Sequence, residues 1–245
     1  MNTRTQLTIL SPVAKYRHPK NHKTIETIGT SGHFDVALVE AFGFSEVARA
    51  RNIVASKAEE HVRNVGGLVF WLDADMVLPN IEVFLLHVAC VRASDRAISG
   101  RYVVRQDESR IAASRHEFRQ RPHEEYDIGS NMKLTLEHAL CGMGCLLMTA
   151  SMFLDQLEAV PTCFRKENGE EFRERLVCCP RIEEHPTSGH VMISEDYDYC
   201  RSIENGTWLA HISNGESLNS WLDYGHVAEK TLMHSPKPHT FRDDR

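Results

Sequence analysis

The sequence predicts a single α/β domain with a mostly parallel central sheet flanked by helices, and three observations carry that expectation. Leu68–Leu72 is an unbroken apolar run, rich in branched and aromatic residues, too short for a helix and preceded by Gly66 and Gly67. Such a run reads as a strand buried on both faces. Upstream, Val47, Ala50, Val54, Ala58, Val62 and Val65 recur at steps of three and four, the mark of one helical face. Strand-like and helical stretches then alternate through the first half of the chain, a spacing that gives right-handed crossovers and parallel pairing.

In chain order, residues 7–12 form a first strand stopped by Pro12. Residues 15–33 are polar and carry Lys15, Arg17, His18, Lys20, His22 and Lys23, which fits a solvated loop or a mobile basic segment near the phosphates of a ligand. A short second strand covers 34–39. Ser45 is placed to cap the long helix and Gly66 to stop it, with Arg49, Arg51 and Asn52 on its other faces. Asn80 caps a further helix whose apolar face is Ile81, Phe84, Leu85, Val88 and Val91, and 97–102 returns as a strand.

The second half is less regular. Arg101, Arg105, Arg110, Arg115, Arg119 and Arg121 crowd together, interleaved with Tyr102 and Phe118; they are either plain surface or the contact for an anionic acceptor. In 139–148 a glycine turn meets an apolar strand, and Gly142 and Gly144 either admit a ligand close to the backbone or make a tight core bend. Residues 161–192 form an irregular excursion with Cys163, Cys178, Cys179, His185 and His190, but without the Cys-x-x-Cys pair usual for structural zinc. Ser194 caps a helix that places Glu195 and Asp196 in its first turn, where negative charge is favoured, and that ends near Asn205 and Gly206. Residues 208–212 return as a strand, His226 follows a glycine bend, and 235–245 is a tail.

Composition narrows the function classes. The 245 residues are 42% hydrophobic and 25% charged, as expected of a soluble globular chain with one large core. No apolar run approaches the roughly 20 residues of a membrane span. The N-terminal residues do not read as a secretion signal, and seven cysteines in such a chain favour reduced thiols in a cytoplasm. A net charge of −6 argues against a protein that grips nucleic acid mainly by long-range electrostatics. Dinucleotide and Walker-type glycine loops are absent.

The chemistry gathers behind the apolar run. Asp73 and Asp75 stand at its C-terminal end, where open α/β sheets place their ligands. Two carboxylates at that spacing hold a hard divalent cation, or share it with a sugar and a phosphate; the plain alternative is that they start a turn.

Taken in order, Ala50-Arg51-Asn52 on a helix, Leu72-Asp73-Ala74-Asp75-Met76, Gly142-Met143-Gly144, Ser194-Glu195-Asp196-Tyr197 and Gly225-His226 resemble the glycosyltransferases of the GT-A fold. The chain is most similar to their family-2-like members of bacterial and phage type, which places it in a bacterial or phage-infected cytoplasm. The resemblance spans about residues 6–230. It implies a nucleotide-sugar-binding half over about 1–103 and an acceptor-binding half over about 104–234. It also implies a UDP- or GDP-linked donor bound by Ser11, Pro12, Arg51, Asp73, Asp75, Gly142 and Gly144. Mn²⁺ or Mg²⁺ would sit on Asp75, with His226 completing the site. Asp196 would be the catalytic base with Glu195 beside it. Arg115 and Arg119 would meet the acceptor, a glycan, a protein or a modified nucleic acid. A nucleotidyltransferase using the same two carboxylates, or a non-catalytic sugar-nucleotide-binding module, are the other readings of these residues.

Overall fold

The computed structural model describes residues 4–44, 46–104, 107–114, 124–127, 132–167, 170–185, 189–193, 195–203, 206–213, 219–227 and 232–233. Strand β3 (Leu68–Leu72) forms where the apolar run predicts it, with all five side chains buried. Gly67 makes its entry possible. Its φ is 83°, and a Cβ there would lie 2.3 Å from the Gln6 carbonyl oxygen, so no larger residue fits.

Before β3 come β1 (Thr5–Val13), α1 (Pro19–Thr30), β2 (Phe34–Phe42) and α2 (Val47–Val65). Strand β1 continues through Pro12 instead of ending there. It pairs with β3 only over Leu7–Leu10, so Pro12 lies where β2 alone holds the strand. The polar stretch expected as a loop is helix α1. Pro19 opens it, the His18 side chain caps it, and Asn21, Thr24 and Ile28 are its buried face. A helix whose buried face is mostly polar leaves no apolar stripe in the sequence. Helix α2 ends at Gly66 as expected, and its N-cap is Glu46; Ser45 lies outside the described residues.

After β3 follow β4 (Met76–Val77), α3 (Ile81–Ser94) and β5 (Ala97–Ser99). Asn80 caps α3 by accepting from the Val83 N–H at 3.0 Å. Short strands β6 (Val103–Val104), β7 (Asp107–Ile111) and β8 (Ala113–Ser114) lead to β9 (Glu124–Asp127), β10 (Lys133–His138), β11 (Leu140–Cys141) and β12 (Cys145–Thr149). Helix α4 (Ala150–Ala159) follows. The excursion beyond it is two antiparallel hairpins, β13 (Thr162–Glu167) with β14 (Glu170–Arg175), and β15 (Arg181–His185) with β16 (Gly189–Ile193). Helix α5 (Glu195–Ser202) stops earlier than predicted, ahead of β17 (Thr207–Ser213), β18 (Asn219–Trp221), β19 (Gly225–Val227) and β20 (Leu232–Met233).

The nine-stranded sheet has the order β2-β1-β3-β12-β5-β17-β10-β9, with β18 beside β17. Pairings β1/β2, β1/β3 and β5/β17 are parallel, while β12 runs antiparallel to both β3 and β5. Six of the nine strands therefore point one way and β10, β12 and β18 the other, giving a mixed sheet flanked by helices. Strand β12 lies between β3 and β5, so the two halves of the chain share one sheet. Phe70, Phe84, Leu147 and Tyr224 belong to the core on one face. Trp71, Val54, Phe153 and Tyr199 belong to that on the other. Among the described residues no helix is long and apolar enough to cross a membrane.

Candidate functional site

The chain leaves β3 through a turn in which the Met76 N–H donates to the Asp73 carbonyl at 3.0 Å. The carbonyls around that turn have fixed donors. Ser11 Oγ donates to Leu72 O at 2.6 Å, and the His18 N–H donates to Ala74 O at 3.2 Å. Asn21 Nδ2 reaches both Asp73 O at 2.9 Å and Met76 O at 2.6 Å. Thr24 Oγ1 accepts from the Leu78 N–H at 3.0 Å. Asn21 is in turn held by Arg17, which pairs with Glu40 on β2. Helix α1 is thus the brace of the Asp73–Asp75 turn, and its buried polar face serves that purpose. Sequence reasoning missed Asn21 and Thr24, and placed Arg17 in a solvated loop or near a ligand's phosphates where it instead pairs with Glu40 and Asn21; the one available signal was Asn21, Thr24 and Ile28 at steps of three and four behind a proline.

Arg51 links the other carboxylates. It is only 2% exposed, and its Nη2 donates to Asp73 Oδ2 at 3.0 Å while its Nη1 forms a close ion pair with Asp196 Oδ1. Arg51 and Asn52, expected on faces of α2 other than the apolar one, are both buried. Asn52 is buried and bonds the backbone of Cys178 in both directions, at 2.8 and 3.2 Å, fastening the hairpin excursion to α2. Asp196 is delivered by α5, which docks on β3 through a 2.8 Å hydrogen bond from Trp71 Nε1 to Tyr199 Oη, with the two rings edge to face.

The turn opens on a cavity of about 310 Å³. Lys15, His18, Asp73 and Asp75 line one part of it, and Pro12, Tyr16, Phe44 and Val47 the apolar remainder. Arg49 stacks on Phe44 at 5.1 Å. His18 Nδ1 accepts from the Lys20 N–H at 3.1 Å, so a neutral ring carries its proton on Nε2.

Other predicted residues fall differently. Ser11 is fully buried and acts as a brace, whereas Pro12 lines the cavity. Gly142 and Gly144 do admit a close neighbour, but it is the Tyr102 ring. A Cβ on Gly142 would lie 2.1 Å from the Tyr102 hydroxyl oxygen, and one on Gly144 would lie 2.9 Å from it. That hydroxyl accepts from the Gly144 N–H at 3.1 Å, and the Gly144 carbonyl accepts from the Asp73 N–H at 3.0 Å. Burial, reinforced by the carboxylates of Asp196 and Asp73, pushes the Tyr102 phenol well above its ordinary pKa, so it stays protonated. Arg101, the first of the arginine cluster, is buried in a two-bonded ion pair with Asp223 at 2.6 and 2.9 Å. Arg115 and Arg119 lie outside the described residues, as does Ser194. Glu195 opens α5, and His226 stands in β19 opposite Met76, directly beyond Asp75 in register. Cys178 is buried with its sulfur 3.5 Å from that of Met143. Among the described residues no three His, Cys, Asp or Glu side chains converge as a metal-ligand group. No family model matches the chain, and neither does any curated protein or solved structure.

Proposed function

We propose that this chain is a metal-dependent glycosyltransferase that moves a sugar from a UDP- or GDP-linked donor to an acceptor hydroxyl. The observation that carries the reading is the Arg51 bridge, which sets Asp73 and Asp196 together at the end of β3, beside the cavity that Asp75 lines. The donor set fits a hard cation. Mg²⁺ or Mn²⁺ in such enzymes takes one or two carboxylates from the protein and its remaining oxygens from phosphates and water, so Asp75 with Asp73 nearby supplies a sufficient share. When bound, the cation neutralises the charge that develops on the leaving diphosphate.

The chain's own residues do the rest. The braced turn fixes the backbone that carries Asp75 before the donor arrives, so little backbone reorganisation remains at the moment of reaction. Lys15 and His18 line the same cavity as the aspartates, and their N–H groups suit phosphate oxygens. Tyr16 and Phe44 offer the flat apolar surface on which a base stacks. Asp196 takes the proton of the acceptor hydroxyl as that oxygen bonds to the anomeric carbon and the sugar–diphosphate bond breaks, a contribution of ~10²–10⁴-fold. Arg51 holds Asp196 and Asp73 in mutual register for that step. The acceptor is proposed to be anionic and to meet Arg115 and Arg119.

A panel of nucleotide sugars with Mn²⁺ tests the reading. Release of free UDP or GDP in the presence of acceptor supports transfer. Release of pyrophosphate would replace it with nucleotidyl transfer, and binding of nucleotide sugar without turnover would replace it with a binding module.

A further inference from the structure

Strand β2 ends the sheet. Among the described residues it pairs with β1 alone, along all nine of its positions, and its outer edge has no neighbouring strand. Its sequence, Phe-Asp-Val-Ala-Leu-Val-Glu-Ala-Phe, contains no lysine, proline or glycine. The register with β1 is continuous, without a bulge. Lysines, prolines and bulges are among the devices by which solitary edge strands are kept from pairing, and β2 has none of these; its two charges, Asp35 and Glu40, are each paired within the chain, with Arg4 and Arg17. Leu38 is 40% exposed and Phe42 56% exposed, both on the face of the strand that also carries Phe34.

The strand is also its own complement. In an antiparallel pairing about a two-fold axis at Leu38, Leu38 meets Leu38 and Phe42 meets Phe34 on the same face. Asp35 then lies opposite Ala41 and Glu40 opposite Val36, so no two carboxylates face each other. Both apolar side chains left exposed on the strand are covered by this one register. We propose that β2 is the interface of a homodimer, in which a second copy of this chain pairs antiparallel along it and joins the two sheets into one. A two-fold interface of this kind is self-complementary and closed, so it stops at two copies. The inference is independent of the reaction proposed above. It has a geometric consequence for the cavity, because β2 leads through Phe42 and Gly43 to Phe44 on the cavity wall.

Sedimentation velocity from about 1 to about 100 µM protein tests the proposal, a range that brackets a micromolar dissociation constant. The wild-type chain is expected to show twice the chain mass at the upper end. Leu38→Lys places two ammonium groups at the two-fold axis and is expected to give single-chain mass throughout, with an unchanged circular dichroism spectrum. Phe42→Lys, at the ends of the ladder, is expected to weaken association by about tenfold or more. Phe164→Lys, at an exposed position on a different strand, is the control and keeps the dimer. Hydrogen exchange adds a readout on the backbone: outward-facing β2 amides lose protection in the monomeric variant while β1 amides do not. Single-chain mass for the wild type across the range overturns the proposal. So does a dimer that survives both Leu38→Lys and Phe42→Lys, and if Leu38→Lys does not fold, Phe42→Lys alone decides.

Discussion

Two buried polar centres lean on strand β3, and they treat charge in opposite ways. On one face His87 is sealed in the core, its Nε2 2.8 Å from the Ile98 carbonyl and its Nδ1 2.9 Å from the Tyr224 hydroxyl. A carbonyl only accepts, so Nε2 carries the proton and Nδ1 accepts from the tyrosine. Phe70 packs edge-on against the imidazole, 6.1 Å between centroids. Burial lowers the His87 pKa to about 4 and raises that of Tyr224 well above its ordinary value, so both stay neutral. At the C-terminal end of the same strand, Arg51 keeps its charge against Asp73 and Asp196, next to a cavity that also receives Asp75. Closed and satisfied, the first centre has nothing left to bind. The second holds its charged groups beside an opening that Lys15, Asp73 and Asp75 line, where a ligand can reach them, and burying such charges costs desolvation.

The sharpest way to break this contrast is Asp75→Ala. The residue follows a buried strand and lines the cavity, where a carboxylate has the proposed ligand role but small packing value. Turnover is expected to fall by at least about 10³-fold, with metal-dependent donor binding lost. The melting temperature should stay within a few degrees of wild type, the range usual for substitutions outside the core. Near-native turnover in Mn²⁺ would remove the metal assignment.

Asp196→Asn comes next. The amide keeps the shape and can still accept from Arg51, but it cannot take a proton from an acceptor hydroxyl. The turnover number is expected to fall by ~10²–10⁴-fold while the Michaelis constant for the donor holds. An unchanged turnover number together with a lowered melting temperature would make Asp196 a structural partner of Arg51 and nothing more.

The sealed centre gives a prediction in stability alone. The unfolded chain protonates His87 near its ordinary pKa of 6.5, whereas the folded chain does so only near 4. The folded state therefore binds fewer protons between these values, and stability contributed by the neutral ring is complete above about pH 6.5 and lost as pH falls towards 4. The full loss is roughly 3 kcal/mol, because each tenfold change in proton affinity is worth about 1.4 kcal/mol. Urea unfolding at pH 7 and pH 4.5 measures it. His87→Gln should flatten the pH dependence across that window whatever it does to stability at pH 7; an unaltered slope would show that His87 is not the group responsible.

What the sequence discloses follows from how each part is encoded. Strand β3, helix α3 with its Asn80 cap, and the middle of the α2 face, Ala50, Val54, Ala58 and Val62, are written in local apolar period and turn chemistry and stand where that period puts them, whereas Val47 and Val65 at the two ends of that face are exposed. Asp73 and Asp75 are legible because a carboxylate pair behind an apolar strand is a local pattern. Helix α1 is not, because its buried residues Asn21 and Thr24 face the backbone of a turn some fifty positions away in the chain. Arg51 can be singled out from sequence but not placed, since its burial depends on two carboxylates, one beyond β3 and one from α5. The glycines at 142 and 144 are recognisable as sites of close approach. Their neighbour, Tyr102, comes from another segment, and periodicity says nothing about such encounters. The common cause is that interactions between distant segments leave no period in either one.

The smallest expected effect belongs to His226, and it asks whether the open centre extends beyond its aspartates. Strand register sets the His226 backbone opposite Met76, the residue after Asp75, while Gly225 pairs with Val77. The C-terminal strand β19 is therefore stitched to the segment that leaves the Asp73–Asp75 turn. Tyr224, two residues earlier, is anchored in the core by His87, so the approach of β19 to the turn is fixed from both sides. A cation held by carboxylates and phosphates keeps further positions, filled by water for Mg²⁺, whereas Mn²⁺ accepts imidazole more readily. His226→Ala is accordingly expected to weaken Mn²⁺ binding by about tenfold in the presence of a nucleoside diphosphate, and Mg²⁺ binding by much less. Titration calorimetry with each ion measures the difference. The electron paramagnetic resonance spectrum of bound Mn²⁺ reports whether a nitrogen ligand is lost, independently of turnover. Equal weakening of both ions, with an unchanged Mn²⁺ spectrum, would leave His226 as a strand residue that happens to neighbour the site.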